Sequence, residues 1–307
     1  MNPQVPRRSN FLAAFAAVAL TLLFFNGAAS AQQQKRDTKS ETPVVGSPLG
    51  AIFDLGSSII TSATGYVSAD PYAQFRSARY TNAGLLSERD ELRLGNRLHQ
   101  EVGKKFSLTS EGQERANRIG QRVARTSLRP NLAYRFHVIS DKELNAFSIP
   151  GGHIYVTTAL LEMANDDELA SVLSHEIGHV VARHSLKTIQ QSQALGSIVG
   201  LFGSITGIAG DTAGELGTAA AQIVASGLLA VHNREEEREA DYLGVRAMPR
   251  AGFDAEGMVT MFQKLQSISR SNSSLLGSLF NDHPDVQERI DNTRFEINRM
   301  RSARSSR

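Results

Sequence analysis

Two histidines, His175 and His179, stand four residues apart, and Glu176 directly follows the first of them. On a helix, residues at this spacing share a face, so both imidazoles can reach one metal ion while the glutamate projects beside them. The pattern predicts a zinc site with two histidine ligands and Glu176 as the general base. A surface helix that carries two histidines by chance is the alternative, and a third ligand would decide between the two.

The residues around this motif predict the helix that the spacing requires. Asn165 can cap its start, and Glu168 stands at the third helical position, where it completes a capping box. Apolar residues then recur at helical intervals along the segment: Leu169, Val172, Leu173, Val180 and Val181. We therefore expect both histidines to project from one helix.

A charged block at 233–241 offers candidates for the third ligand. At about 100° per residue, helical geometry places Glu237 on the apolar face of this block, with Asp241 beside it. Small residues mark that face: Ala240, Gly244 and Ala247. Glu235 and Glu239 fall elsewhere, and the solvated side carries Arg238, Tyr242 and Arg246. Because a carboxylate on an apolar face must be paired or metal-bound, the sequence favours Glu237 as the third ligand.

His184 competes with Glu237 for this role, since it follows His179 by five residues. On a continuous helix it would lie roughly opposite His175, and it lacks the longer spacing and the glycine of three-histidine peptidases. We interpret it as a surface or C-terminal helix histidine that interacts favourably with the helix dipole. No motif supports the remaining candidates, which we expect to be structural or exposed: His99, His137, His153 and His232.

The amino-acid composition limits the kinds of chemistry that the chain can perform. The chain has 307 residues, 41% of them hydrophobic, so it can bury a full core in one or two domains. Cysteine is absent, which excludes disulfide and thiolate chemistry. A bound metal must therefore be held by His, Asp and Glu, and two histidines with a carboxylate are an ordinary ligand set for catalytic zinc.

The first residues predict a secretory signal peptide at 1–31. Arg7 and Arg8 precede an apolar run at 11–25, and a small-residue cleavage site follows, with cleavage expected after Ala31. The run is short for a membrane span, so we expect a secreted protein with no span after cleavage; a retained anchor is the alternative. The mature chain then carries 33 − 2 = 31 basic and 31 acidic residues, which gives no electrostatic support for nucleic-acid binding.

Helical periodicity at 87–106 and 109–128 predicts two amphipathic helices, each beginning at a Ser or Thr that can cap. Extended segments are expected at 134–139, 145–149 and 154–158, which together form a small sheet. The predicted fold class is α+β and mostly helical. We assign 32–84 to a flexible leader and N-terminal segment, 85–302 to the main domain and 303–307 to a disordered tail.

Two segments leave alternatives open. Gly151 and Gly152 predict either a hairpin turn or the start of an exposed edge strand that holds an extended peptide. The segment 193–231 is nearly uncharged and rich in Gly and Ala. It predicts either a lid over the active site or a helical hairpin that completes the core.

These motifs together resemble the zinc metallopeptidase family that includes the HtpX heat-shock proteases, the CAAX prenyl proteases and the periplasmic β-barrel assembly-enhancing protease. The matching motifs occur in the same order over roughly 87–301: NAF at 145–147, PGGHIYV at 150–156, HEIGH at 175–179, EREADYLG at 237–244, HP at 283–284 and RI at 289–290. Two departures are His153, where an aromatic residue is common, and an expected lack of the tetratricopeptide domain.

The resemblance implies a gluzincin-type metallopeptidase domain with one Zn²⁺ held by His175, His179 and Glu237. It implies catalytic roles for Glu176 as the base and for Asp241 as an acid that supports a ligand or donates a proton. It further implies that His283, in a loop beginning near Ser269, can approach the zinc as a latent fourth ligand; a simple helix-entry residue is the alternative.

By the same resemblance, we expect a periplasmic endopeptidase that cleaves misfolded or misassembled envelope proteins and works beside the outer-membrane assembly machinery. A chaperone or assembly factor with a structural or latent zinc site is the alternative class. Glu176 favours the enzyme, because a structural site needs ligands but no base.

Overall fold

The computed structural model describes residues 70–78, 80, 86–191, 213–227, 232–271 and 286–306. They form nine α-helices and four strands, in this order: α1 Glu88–Lys105, β1 Leu108–Thr109, α2 Gln113–Ala124, β2 Arg135–Ile139, β3 Ala146–Ile149, β4 His153–Thr157, α3 Thr158–Met163, α4 Asp166–Ala182, α5 His184–Gln191, α6 Ala213–Ser226, α7 Arg234–Ala247, α8 Glu256–Ser271 and α9 Val286–Ser305. The predicted α+β, mostly helical class is confirmed. Within these ranges, no helix combines the length and the apolar character that crossing a membrane requires.

The strands form one mixed sheet in the order β1-β2-β4-β3. β4 runs parallel to β2 and antiparallel to β3, so it is an interior strand. Gly151 and Gly152, with φ of 82° and 86°, form the turn between β3 and β4. The hairpin interpretation is therefore confirmed, and the alternative in which β4 is an exposed edge is wrong.

The second amphipathic helix starts later than its pattern predicted. Thr109 does not cap it, because Leu108 and Thr109 pair with Ile139 and Val138 as an additional strand. The helix begins at Gln113, after Gly112 in the left-handed conformation. The first helix does begin after the predicted cap, since Ser87 accepts a hydrogen bond from the backbone N–H of Asp90.

Helix α4 carries the two motif histidines. Its start has the predicted capping box, in which Asn165 and Glu168 bond each other's backbone N–H groups. It ends at Arg183, a non-glycine residue with φ of 59°. The side chain of Arg183 forms an ion pair of 2.9 Å with the buried Glu91. This left-handed residue stops α4 and lets α5 start in a new direction at His184.

Helix α7 crosses α4 at very short range because two glycines face the contact. A Cβ atom at Gly178 of α4 would lie 2.7 Å from the carbonyl oxygen of Ala240, and one at Gly244 of α7 would lie 2.9 Å from Oγ of Ser174. Neither position has room for a side chain. The close approach brings the carboxylates of α7 to the histidines of α4.

A short N-terminal segment, 70–78, packs on the outer side of α7. Its rings Tyr72 and Phe75 lie 5.3 Å and 6.0 Å from Tyr242, measured between centroids. Tyr242 is consequently 6% exposed, so its predicted position on the solvated side is wrong. The helical pattern located this face correctly as the one opposite Ala240, but the segment 70–78 covers it.

The described part of 193–231 is helix α6. Its residues Ala219, Ala220 and Ile223 are buried in one apolar cluster with Leu94 and Leu98 of α1. This part therefore belongs to the core, as one of the two alternatives predicted. The rest of the segment that suggested a lid, 193–212 and 228–231, lies outside the described residues.

Candidate active site

Three side chains from α4 and α7 converge with their metal-binding atoms facing one another. Nε2 of His175 lies 2.9 Å from Nε2 of His179. The carboxylate of Glu237 places one oxygen 3.4 Å from the first nitrogen and the other 3.3 Å from the second. All three residues are buried. The structure thus brings together the three residues that the sequence selected as ligands.

This triangle has the size that a zinc ion requires. Zinc bonds of 2.0 to 2.1 Å in tetrahedral geometry separate two ligand atoms by about 3.3 Å, close to the three distances observed here. Two imidazole nitrogens and a carboxylate oxygen are also a ligand set that catalytic zinc uses. The residues therefore fit the ion.

The Nδ1 atom of His175 is held by Asp241. The two atoms, Nδ1 and Oδ1, lie 2.8 Å apart, and Arg289 donates two further hydrogen bonds of 2.8 Å to the same carboxylate. Because Nδ1 carries the proton of this hydrogen bond, Nε2 is the nitrogen that can bind a metal. Asp241, which is fully buried, thus acts on the orientation of His175 from behind the ring.

His184 performs the equivalent task for His179. The two Nδ1 atoms lie 2.8 Å apart, and Nε2 of His184 lies 2.9 Å from the carboxylate of Glu239. Tyr80 donates a hydrogen bond of 2.8 Å to that carboxylate. The prediction of a surface position for His184 is wrong, because the residue is 0% exposed. It does follow the C-cap of α4, Arg183, as the alternative of a C-terminal helix position predicted.

The sequence motifs assign no role to Arg289 beyond its place in the RI pair at 289–290. Its guanidinium is buried, stacks 4.5 Å from the ring centre of Phe262 and contacts Glu237 at 2.9 Å. It therefore joins α9 to both carboxylates of α7. A buried pair of acids requires a nearby cation, and that requirement was the available signal.

The charges around the triangle favour a cation at its centre. Burial by itself lowers the pKa of His175, but the charge of Glu237 and the hydrogen bond with Asp241 raise it to about 9. Burial also lowers the pKa of His179, which stays well below its usual value. Burial raises the pKa of Asp241, yet the charge of Arg289 and the hydrogen bonds from Arg289 and His175 together outweigh it and hold that pKa below its usual value.

Glu176 lies beside the triangle, at an apolar recess. Glu176 and His175 line this recess together with side chains from α3, α4, α8 and α9: Leu160, Val172, Met261, Phe262, Leu265 and Val286. A general base that lines an apolar recess can act on a peptide whose neighbouring side chain enters the recess. His283, the predicted latent ligand, lies outside the described residues, and its role stays a prediction.

The four histidines without motif support are not isolated. His232 is buried, and its ring stacks on that of His179 with centroids 3.9 Å apart. The other three form a cluster on the sheet: His99, His137 and His153. Their sequence positions gave no indication of these groupings, because each member comes from a different element.

The helix with two histidine donors, the glutamate donor from a second helix and the adjacent Glu176 define a zinc metallopeptidase. The chain belongs to peptidase family M48, whose model matches residues 110–296. The family resemblance is thereby confirmed.

Relatives with named activities share this part of the chain. The chain is similar to the β-barrel assembly-enhancing protease of Yersinia pestis, with 32% identity over 60% of this chain and 39% of the relative. The mitochondrial metalloendopeptidase OMA1 of Schizosaccharomyces pombe is 33% identical over 57% of this chain and 50% of the relative. The metalloprotease YcaL of Escherichia coli is 29% identical over 53% of this chain and 61% of the relative. The chain thus spans between two fifths and three fifths of the length of these relatives.

Proposed function

We propose that the protein is a zinc-dependent endopeptidase. The observation that carries the proposal is the convergence of His175, His179 and Glu237 on one point, with Glu176 beside them at an apolar recess. Three protein donors leave a fourth position open, which distinguishes catalytic from structural zinc sites. A site that only stabilised the fold would need no carboxylate in the position of Glu176.

The roles of the residues follow from their positions. When bound, zinc would lower the pKa of a water molecule to about 7 and polarise the scissile carbonyl. Glu176 accepts the proton of the attacking water and passes it to the amine that leaves. Asp241 and His184 hold the two imidazoles in the orientation and tautomer that ligands require. Arg289 balances the negative charge of Glu237 and Asp241.

We further propose that the substrates are unfolded or misassembled envelope proteins and that the protein acts in the periplasm beside the outer-membrane assembly machinery. Two features support this: the relatives named β-barrel assembly-enhancing protease, and a recess that accepts apolar side chains, which unfolded chains expose. The predicted signal at 1–31 lies outside the described residues. N-terminal sequencing of the protein from a periplasmic fraction tests cleavage after Ala31.

Glu176→Gln tests the enzyme directly. We expect this variant to bind zinc and unfold like the wild type but to lose degradation of casein, because the amide fills the same space and cannot accept the proton. Glu114→Gln, at an exposed position of α2, is the matched control and should retain full activity. Chelator should abolish the activity and zinc should restore it.

Two outcomes would contradict the proposal. Casein cleavage by Glu176→Gln at the wild-type rate would show that the site is not the catalytic centre. Full function of this variant in cells that depend on the protein would instead support the chaperone or assembly factor.

A further inference from the structure

A second group of histidines lies on the face of the sheet opposite α4. His99 comes from α1, His137 from β2 and His153 from β4. Strand residues alternate between the two faces, and the intervening Phe136 and Ile154 belong to the apolar cluster that contains α4. One ring nitrogen of each histidine lies within 4.8 Å of the others.

The three rings are connected and supported by polar neighbours. Nε2 of His137 lies 3.0 Å from Nδ1 of His153, whose Nε2 lies 3.1 Å from the amide oxygen of Asn96. Since that oxygen only accepts, His153 carries its proton on Nε2, and its Nδ1 presents a lone pair toward His137. Nδ1 of His99 lies 2.7 Å from the hydroxyl of Tyr155.

The environment keeps these imidazoles neutral. Burial, together with the charge of neighbouring histidines, lowers the pKa of His137 to about 4 and that of His153 to about 3, and burial also lowers the pKa of His99. Neutral imidazole is the form that binds metal, so protons do not compete for the ring nitrogens at neutral pH. His99 and His137 are partly exposed, so an ion from solvent can reach the cluster.

We propose that His99, His137 and His153 form a second metal site that takes a divalent transition-metal ion, Cu²⁺ or Zn²⁺. Three imidazoles without a thiolate suit these ions, with Cu²⁺ the tighter binder. The ion bonds Nδ1 of His153 and Nε2 of His137, and the proton of His137 moves to its own Nδ1. Asn96 keeps its hydrogen bond and fixes the tautomer of His153.

The distances allow this with a small rearrangement. The rings of His99 and His153 stack with centroids 4.7 Å apart. To bind one ion, each ring must turn so that its ligand nitrogen points toward that ion. Ligand nitrogens on one ion lie about 3.3 Å apart when tetrahedral and about 4.2 Å apart when opposite. Bringing a pair from the limit of 4.8 Å to about 3.3 Å takes about 1.5 Å, a movement that the partly exposed His99 and His137 can share. The bound ion links α1 to two strands of the sheet.

Metal binding to the untagged full chain tests the proposal. Metal-stripped wild type, His179→Ala and His153→Phe are titrated with Zn²⁺ and with Cu²⁺ at neutral pH. We expect two ions on the wild type and one on each variant, because His179→Ala disrupts the α4 site and His153→Phe removes the sheet site while keeping an aromatic ring. Copper on His179→Ala should show nitrogen hyperfine coupling in its electron paramagnetic resonance spectrum.

The alternatives are distinguishable. No ion on His179→Ala, or two ions on His153→Phe, overturns the sheet site, whatever the proteolytic activity. The His153→Phe variant should degrade casein normally, since His153 does not belong to the α4 site. If it does not fold, His99→Gln, at a partly exposed position of α1, takes its place and should lower the sheet-site affinity at least about 100-fold.

Discussion

The Nδ1 atom of His184 lies 2.8 Å from the Nδ1 atom of His179, and neither atom has any contact with solvent, because both side chains are fully buried. Glu239 accepts from the far nitrogen of His184, which leaves its Nδ1 with a lone pair for the proton of His179. A carboxylate on α7 thereby sets the tautomer of a proposed ligand on α4. The first prediction tests this chain of hydrogen bonds from His179 through His184 to Glu239.

His184→Ala should lower zinc affinity by about 10- to 100-fold, because His179 loses the partner that fixes its proton and ring orientation. His184→Asn should retain more affinity, since its amide oxygen can accept the same hydrogen bond. Glu239→Gln should have a smaller effect, and Glu235→Gln, exposed on the same helix, should have none. Competition for zinc with a chromogenic chelator measures the zinc affinity of all four variants. Equal affinities would show that His184 and Glu239 do not support His179 as a ligand.

The variant Asp241→Asn distinguishes two roles for Asp241, which are to hold the ligand His175 in place or to donate a proton in the reaction. Loss of the charge leaves Arg289 partly unpaired in a buried position, so we expect a stability loss of about 3 kcal/mol and weaker zinc binding. At saturating zinc, kcat and its pH profile should stay near the wild type. A large loss of kcat with normal zinc affinity would instead support the proton-donating role implied by the family resemblance.

Gly178→Ala should separate the two metal-bearing helices. The added Cβ would meet the backbone of Ala240 at 2.7 Å, so overpacking should cost about 1 to 3 kcal/mol and weaken zinc binding. Gly103→Ala, on α1 with no atom within 4 Å of the new Cβ, is the matched control and should stabilise by about 0.5 to 1 kcal/mol. Thermal unfolding and zinc stoichiometry measure both; an unaffected Gly178→Ala protein would show that the contact is not tight.

Glu168 should contribute stability that depends on pH. Burial raises its pKa, but the hydrogen bond from Lys264, 2.6 Å long, and that from Asn165 outweigh it, so its pKa lies below the usual 4.5. A carboxyl with a lowered pKa stabilises above about pH 4.5, and this contribution is lost as the pH falls through the folded-state pKa.

Glu168→Gln keeps the capping hydrogen bond and removes the charge. We expect it to unfold about 1 kcal/mol more easily at neutral pH, a modest value because Lys264 is 42% exposed, and to differ less from the wild type at pH 3. Lys264→Met should give the same loss at neutral pH. Denaturant unfolding at both pH values tests this; a pH-independent difference would assign the effect to packing.

The sequence by itself determined the local features of the site. The capping box at Asn165 and the spacing of His175 and His179 depend on neighbours within one helix, and a helical projection places Glu237 on the buried side of α7 for the same reason. These features follow from the period of a single element, which can be read from a few adjacent residues. The strands β2, β3 and β4 were predictable on the same grounds, whereas β1 was not.

The tertiary structure decided which distant residues meet. A continuous helix would place His184 away from His179, whereas α4 ends at the left-handed Arg183 and the two Nδ1 atoms lie 2.8 Å apart. Tyr242 was misplaced because its cover, 70–78, lies far away in the sequence. The histidine cluster on the sheet likewise depends on the parallel pairing of β2 with β4 and on the helix packed across them. Such contacts join elements whose relative positions are fixed by burial of the whole core, and no local period encodes them.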